Sequence, residues 1–372
     1  MKQKVGILTT YFAANYGAML QPFALKRVLE CEGCDVEMIR YGQQDILEVY
    51  DPFCWKRYFK QKLSACLAAW LFMPWAIAKE MKFRRFMYRY INGERGFEPQ
   101  IPQDKEVYFV GSDQLWRTFG KDEHFDPVYM GYFATKPGAR KVSYAVSGEH
   151  LQLNEANCQY LREAFRNFDM ISVREQKRAD DFLPLADGKP VEVVLDPTLL
   201  AEPSLYQELQ QIDPCPDKRY VLFYCVRRSQ HFVQKVYEYA RQRGLHLLIF
   251  SEGFKPSLIK FAALHRDVHY LMTAGEEEFL GAMSHAECVF TPSFHGAAFS
   301  IINHRNLYSL MVDDGADTRS RHLLTQLGMQ HRLLRIDDEI DERPIDYTEV
   351  ERLLRIQRNH SLDFVRRALH RC

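Results

Sequence analysis

An ordered alternation of β-rich and helix-periodic segments constrains this chain more than any other feature, because that rhythm favours parallel sheets joined by crossover helices. Strand patterns are expected at 5–10, 36–40, 107–110, 141–145, 170–173 and 191–195, with helical stretches at 18–30, ending at Gly33, and at 154–168. The rhythm loosens after Asp196-Pro197-Thr198, and the stretch 202–218 carries Pro203, Pro214 and Pro216, the marks of a connection between units. It then resumes with strands at 220–226, 246–250, 287–291 and 307–312 and a helix at 232–243 before Gly244. Thr273-Ala274-Gly275-Glu276 resembles a capping box opening another helix, and the chain is amphipathic and helical from about Glu349. At 372 residues the chain has room for about two domains, expected at 1–205 and 206–372.

Charge and cysteine usage narrow the function classes. Lys and Arg number 49, as do Asp and Glu, so the surface as a whole offers no basic field for nucleic acid. An anionic ligand must then be held by a local site. The nine cysteines are odd in number and scattered, which fits a reduced cytoplasmic protein rather than a disulfide framework. Cys31 and Cys34 form one CxxC, but no second pair stands at zinc-site spacing, and no metal is expected. The opening MKQKVGILTTYF reads as a first strand rather than a signal peptide.

One segment departs from this balance. Between Lys56 and Arg89 nine basic residues (Lys56, Arg57, Lys60, Lys62, Lys79, Lys82, Arg84, Arg85, Arg89) face the single acid Glu80, a local charge of +8. Within this insertion, at about 53–92, residues 65–78 are unbroken in apolar character but too few to span a bilayer, which takes about 20. Two readings stand side by side: an interfacial element on an anionic membrane, or a helical insertion packed on the protein with solvated basic ends.

Four motifs fall where a strand gives way to a helix, the edge at which α/β folds bind ligands. Asn15-Tyr16-Gly17-Ala18 follows the first strand, and Gly17 permits close backbone approach; a plain turn and cap is the other reading. Gly111-Ser112-Asp113-Gln114 gathers hydrogen-bonding side chains after the third strand, as capping residues also do. In Ile171-Ser172-Val173-Arg174-Glu175 a strand ends on an arginine, which can grip a carboxylate or phosphate bidentately or form an ordinary ion pair. Ser293-Phe294-His295-Gly296-Ala297 places a histidine at a helix N-terminus, where it can bind an anion and move a proton, or serve as a structural core histidine. Arg227 and Arg319 fall in loops that face the same cleft or remain solvated.

Taken together, these motifs resemble the polysaccharide pyruvyl transferase family. The resemblance covers nearly the whole chain in ordered runs: GILTTYFAANYGAMLQPFAL, FVGSDQLW, SYAVS, ISVRE and VVLDPTLL, then EEFLGAMSHAECVFTPSFHGAAFSIINH and TRSRHLLTQLGMQHR. It implies an α/β fold of two Rossmann-like domains facing a cleft, like the GT-B glycosyltransferases. It also implies a reaction in which the pyruvyl group of phosphoenolpyruvate is joined as a ketal to two hydroxyls of one sugar, with release of phosphate.

Such a donor becomes electrophilic at C2 once C3 is protonated, so it needs an acid near C3 and cations around phosphate and carboxylate. On that footing His295 and Arg174 are the expected catalytic residues. Ser293, Phe294, Gly296, Ala297, Arg227 and Arg319 are expected to bind the donor, and Asn15, Gly17, Ser112, Asp113 and Gln114 to line the opposite wall. Replacing Arg174 by Lys is expected to weaken donor binding with modest effect on stability. Fixed protein cations make a metal unnecessary, and no cofactor beyond the donor is expected. The partners are then phosphoenolpyruvate and a sugar or lipid-linked oligosaccharide, with membrane contact through 56–89 and no nucleic acid. Two alternatives remain, a nucleotide-sugar-dependent glycosyltransferase and a noncatalytic subunit of a polysaccharide assembly complex.

Overall fold

The structure, a computed structural model, describes residues 2–12, 14–42, 63–91, 100–118, 124–148, 151–313 and 317–370, and of 63–70 the backbone alone. The alternating sequence resolves into two parallel six-stranded sheets, each flanked by helices. The first contains β1 (Lys4–Leu8), β2 (Asp35–Met38), β3 (Val107–Val110), β4 (Arg140–Val146), β5 (Met170–Val173) and β6 (Val191–Val193), in the order β2-β1-β3-β4-β5-β6. Its helices are α1 (Tyr16–Cys31), α2 (Leu63–Phe86), α3 (Glu155–Phe165) and α4 (Gln176–Phe182). Two short turns of helix, α5 (Pro197–Leu200) and α6 (Ser204–Gln207), make the connection; buried Tyr206 and Leu209 pack the proline-marked stretch against the body.

The second sheet contains β7 (Tyr220–Cys225), β8 (His246–Ser251), β9 (Val268–Leu271), β10 (Cys288–Thr291), β11 (Asn306–Leu310) and β12 (Leu333–Leu334), in the order β12-β11-β10-β7-β8-β9. Helices α7 (Val233–Gln242), α8 (Pro256–Leu264), α9 (Glu276–His285), α10 (Phe294–Ile302), α11 (Asp317–Gln326) and α12 (Tyr347–Leu369) complete it. Central strands such as β3, VYFV, and β7, YVLFYC, are buried at every position because helices cover both faces, which is why they read as continuous apolar runs. The second sheet has the strand order of a dinucleotide-binding fold, whereas the first has the flavodoxin-like order. Strand order therefore reverses between β1 and β3 in one unit and between β7 and β10 in the other, and the crevice at each reversal is where such folds bind ligands.

Two helices cross between the units. The inserted α2 reaches the second unit, where Lys79 Nζ donates to the carbonyls of Ser251 (2.8 Å) and Glu252 (3.0 Å) and Phe72 stacks on Phe254. Lys82 pairs with Glu278, and Tyr90 Oη donates to Glu277. In the opposite sense α12 lies on the first unit: Ser361 Oγ accepts from Leu195 N (2.9 Å), Arg358 Nε donates to the Leu199 carbonyl (3.2 Å), and Arg367 pairs with Glu192 (2.7 Å). Lys56, Arg57, Lys60 and Lys62 lie outside the described residues, and no described helix is long and apolar enough to cross a membrane.

One expected start shifts. Helix α9 is capped at Gly275, whose N–H donates to Glu278 (2.9 Å), so the reciprocal residue of the cap lies two places after Glu276 and Thr273 is outside it. Helix α8 and strand β9 were not expected from the sequence. Cys31 is exposed and Cys34 buried, both as free thiols.

Candidate active site

All four motifs lie at the carboxyl ends of strands, and the fold brings them to one place. Asn15 caps α1, its Oδ1 accepting from Ala18 N (3.1 Å), while its Nδ2 donates to Glu252 Oε1 across the cleft (2.6 Å). Tyr16 turns away into the core, stacking on Phe279 with ring centroids 4.3 Å apart and donating to the Ala274 carbonyl (2.9 Å). Gly17 faces the other unit, and a Cβ placed there would lie 2.0 Å from His295 Nδ1. Glycine is therefore required for the imidazole to approach the first turn of α1.

The turn after β3 is held from within. Ser112 is buried, and its N and Oγ both donate to Gln21 Oε1 (3.2 and 3.0 Å), whose Nε2 in turn donates to Thr9 Oγ1 (3.0 Å). Ser112 thus fixes the turn rather than facing the cleft. Asp113 takes the left-handed conformation (φ 72°), uncommon for a residue with a side chain, and its carboxylate lies 3.5 Å from Arg174 Nη2 and 3.9 Å from Arg319 Nη1. Burial raises the Asp113 pKa, but Arg174, His295 and Arg319 outweigh it and hold the carboxyl below its ordinary value. Gln114 follows in the same partly buried turn.

Arg174 is the hub beneath the cleft. Its Nη1 donates to Asp196 Oδ2 (2.7 Å), its Nε to Glu175 Oε1 (3.3 Å), and its guanidinium stands 4.4 Å over the Phe294 ring. Ser147 Oγ also donates to Glu175 (2.8 Å). With Asp113 this makes three carboxylates around one buried arginine, which is a positioning arrangement rather than an open fork awaiting a ligand. The modest stability effect expected for lysine at this position is revised accordingly: lysine keeps the charge but cannot bond Asp196, Glu175 and Asp113 at once, so buried carboxylate contacts are lost and stability suffers as well as binding.

Asp196 caps α5, its Oδ1 accepting from the N–H and hydroxyl of Thr198 (2.9 and 2.7 Å). Its Oδ2 lies 3.6 Å from His295 Nε2, a nitrogen that is buried and has no hydrogen-bond partner. Burial raises the Asp196 pKa, yet His295, Arg174 and Thr198 together hold it far below the ordinary carboxylate range. Asp-Pro-Thr at a strand end is a legible cap signal, with Pro suited to the first helical position, but the sequence reading gave Asp196 no site role.

The start of α10 is a cap with a histidine in its first turn. Ser293 Oγ accepts from Gly296 N (3.2 Å) and the Ser293 carbonyl from Ala297 N (3.0 Å), so the helix start offers an anion the amides of Phe294 and His295. Gly296 packs against Thr291, 2.7 Å from where a Cβ would stand, and Ala297 is buried in the core. Across the turn Arg227, also left-handed (φ 55°), donates to the Pro292 carbonyl (3.2 Å) and pairs with Asp317. Lys255 Nζ donates to the Arg227 carbonyl (3.2 Å). Glu252 is exposed at the mouth of the cleft, and desolvation by the surrounding protein raises its pKa against the pull of Lys79, Lys255, Arg319 and Arg227.

A cavity of about 270 Å³ adjoins this cluster, lined by Arg174, Asp196, Phe294, Arg319, His322 and His360 among others. The expected residues thus converge from both units; Ser112 and Ala297 are held within the protein, while Asp196 and Glu252 join the cluster. Glu252 carries no local sequence signal, since its partner Asn15 is 237 positions away.

A family model described as polysaccharide pyruvyl transferase matches residues 15–314. No curated protein matches the sequence. Among solved structures the chain is similar to UDP-GlcNAc 2-epimerase from Methanocaldococcus jannaschii (11% identity, 96% of this chain and 93% of that one, TM-score 0.49). It is also similar to the glycosyltransferase SnogD from Streptomyces nogalater (9% identity, 99% and 100%, TM-score 0.43). A sucrose-phosphate synthase from Thermosynechococcus elongatus aligns likewise (11% identity, 99% and 95%, TM-score 0.42).

Proposed function

The chain belongs to the polysaccharide pyruvyl transferase family, and we propose that it transfers the pyruvyl group of phosphoenolpyruvate to two hydroxyls of one sugar in a polysaccharide or its precursor. The observation that carries this reading is the meeting of His295 with Gly17 across the two units, above a buried Asp196. A proton-transfer group is thereby fixed at a helix N-terminus that also offers two amides to an anion.

In the proposed sequence His295 gives a proton to C3 of the enol phosphate, leaving C2 cationic. One sugar hydroxyl adds at C2 and loses its proton to His295. The second hydroxyl then attacks C2, the bond from C2 to the phosphate oxygen breaks, and its proton leaves with phosphate. Donor and diol thus balance against ketal and phosphate. Asp196 would act as the countercharge on the Nε2 side of the protonated ring, 3.6 Å away, and Nδ1, on the Gly17 side, would carry the proton that is transferred. Arg319 and Arg227, with the amides of Phe294 and His295, would hold the donor's phosphate and carboxylate. Arg174 acts as a positioning residue for Asp196 and Phe294. Asp113 would accept a hydrogen bond from a sugar hydroxyl, with Asn15, Gly17 and Gln114 on the same wall. These fixed cations do the electrostatic work a metal would do, so EDTA is expected to leave turnover unchanged.

The reading further has the enzyme in the cytoplasm, at the inner face of the membrane when the acceptor is lipid-linked, with the exposed face of α2 turned to that surface.

Thermal unfolding with separate ligands tests the donor. At about 100 times its dissociation constant a ligand stabilises the fold by roughly 2.7 kcal/mol, a readable shift. Phosphoenolpyruvate is expected to stabilise the protein more than pyruvate or phosphate alone, and a diol-bearing acceptor to trigger phosphate release. Stabilisation by UDP- or GDP-sugars and not by phosphoenolpyruvate would replace this reading with the glycosyltransferase one.

A further inference from the structure

Helix α2 has two faces of different character. Lys79, Phe83 and Phe86 point inward and are buried, and Lys79 holds the loop that follows β8. On the outward side Leu71 and Met81 are exposed by 65% and 64% and Trp75 by 42%, with Pro74 exposed between them. Positions 71, 74, 75, 78, 81 and 85 share one helical stripe, so these apolar groups form a patch rather than scattered single residues. The stripe ends on Arg85, and Arg89 lies just beyond; both are exposed.

We propose that this outward face docks flat on an anionic lipid surface, with Leu71, Trp75 and Met81 at the acyl boundary and Arg85 and Arg89 on the headgroup phosphates. Charge selects this occupant. Among the described residues the outward stripe carries Arg85 and Arg89 and no acid, whereas Lys79 is turned inward, Lys82 pairs with Glu278 and Arg84 with Glu80. An anionic plane therefore attracts this face, which orients the contact. A second copy would bring a like-charged face and be repelled. The helix is amphipathic by burial and, although its 24 residues have the length to span, it is not apolar enough to do so, which leaves the plane of the interface as its place on a bilayer. Because its inner face holds the carbonyl of Glu252, the partner of Asn15, the docked surface would lie about one helix diameter, roughly 10 Å, from one end of the cleft. The inference specifies the membrane contact of the proposed function and relies on that reading only for its use, a lipid-borne acceptor.

Flotation of the purified full chain tests it, using vesicles of phosphatidylcholine alone and vesicles in which about a third is phosphatidylglycerol. The protein is expected to float with the anionic vesicles at low salt and to be released at high salt. Leu71→Ser with Trp75→Ser, and separately Arg85→Glu with Arg89→Glu, should each lower the bound fraction about tenfold or more. Both pairs change exposed side chains, and an unaltered melting temperature in the absence of ligand would confirm that they fold. No flotation of the wild type at low salt overturns the proposal, as does equal flotation of either variant. It is also overturned if the wild type self-associates through this face and the variants abolish that association instead. Failure of the donor reading is separate: phosphoenolpyruvate would then give no thermal shift while flotation persisted.

Discussion

At its reversal of strand order the first sheet offers mainly close backbone and neutral hydrogen-bonding groups: Asn15, Gly17 and the turn fixed by Ser112 and Gln21. The second sheet, at its own reversal, offers titratable and cationic groups: His295, Arg227 and the first amides of α10. Both crevices follow from the same topological rule, yet the two reversals differ, with close approach at the first and a histidine and an arginine at the second, while the buried ion cluster on Arg174 belongs to the first unit. The difference has a physical reason. A ring can come against a helix start only where there is no Cβ, and a charged cluster can be buried only where its countercharges converge, as Asp196, Glu175 and Asp113 do on Arg174.

The largest effects are expected at the charged groups, one in each unit. His295→Gln is expected to lower kcat about 10²- to 10⁴-fold while phosphoenolpyruvate still shifts the melting temperature. Near-normal phosphate release would falsify the assignment. Arg174→Met should cost about 3–5 kcal/mol in urea unfolding, because it leaves the surrounding buried carboxylates without their shared cation.

The carboxylates of that cluster also set a pH dependence. Asp196 and Asp113 have folded pKa values below their unfolded ones, near 3.9, so the stability they contribute is present above about pH 4. It is lost as pH falls through the folded values. Melting temperature followed from pH 6 downward should therefore fall in the wild type and fall less steeply in Asp196→Asn. Parallel curves would detach Asp196 from the acid response.

On the neutral side the effects are smaller. Gly17→Ala brings a methyl onto the His295 ring and is expected to cost about 1–3 kcal/mol, with turnover falling roughly 10²-fold as the imidazole shifts. Gly253→Ala, where a Cβ meets nothing within 4 Å, should leave both unchanged and serves as the comparison. Asn15→Ala removes a helix cap and a bond between the units, for about 1–2 kcal/mol, and its loss should be read as a lowered urea midpoint.

What could be read from the sequence was what is local. The strand and helix rhythm, the caps at Asn15 and Ser293, and the placement of Arg174 and His295 at strand ends follow from residues a few positions apart. What could not be read depends on partners far along the chain. Asp196 gains its second role only because Arg174, 22 positions earlier, and His295, in the other unit, reach the same oxygen. Glu252 meets Asn15, and Lys79 meets Glu252, through packing that no local pattern encodes. For Arg174 the sequence left two readings, a fork open to a ligand or an ordinary ion pair, and the packing of Asp113, Glu175 and Asp196 around it gives the second.

The reciprocal crossing of α2 and α12 has a consequence for how the chain can be divided. Each half of the sequence carries the helix that clasps the other half: α2 belongs to the first and grips the second, α12 the reverse. A cut in the connection near Pro214 would not release two self-sufficient domains but two pieces with bare apolar faces. Such pieces are expected to be poorly soluble when made apart and to restore one another when made together, as complementing fragments of a single folding unit.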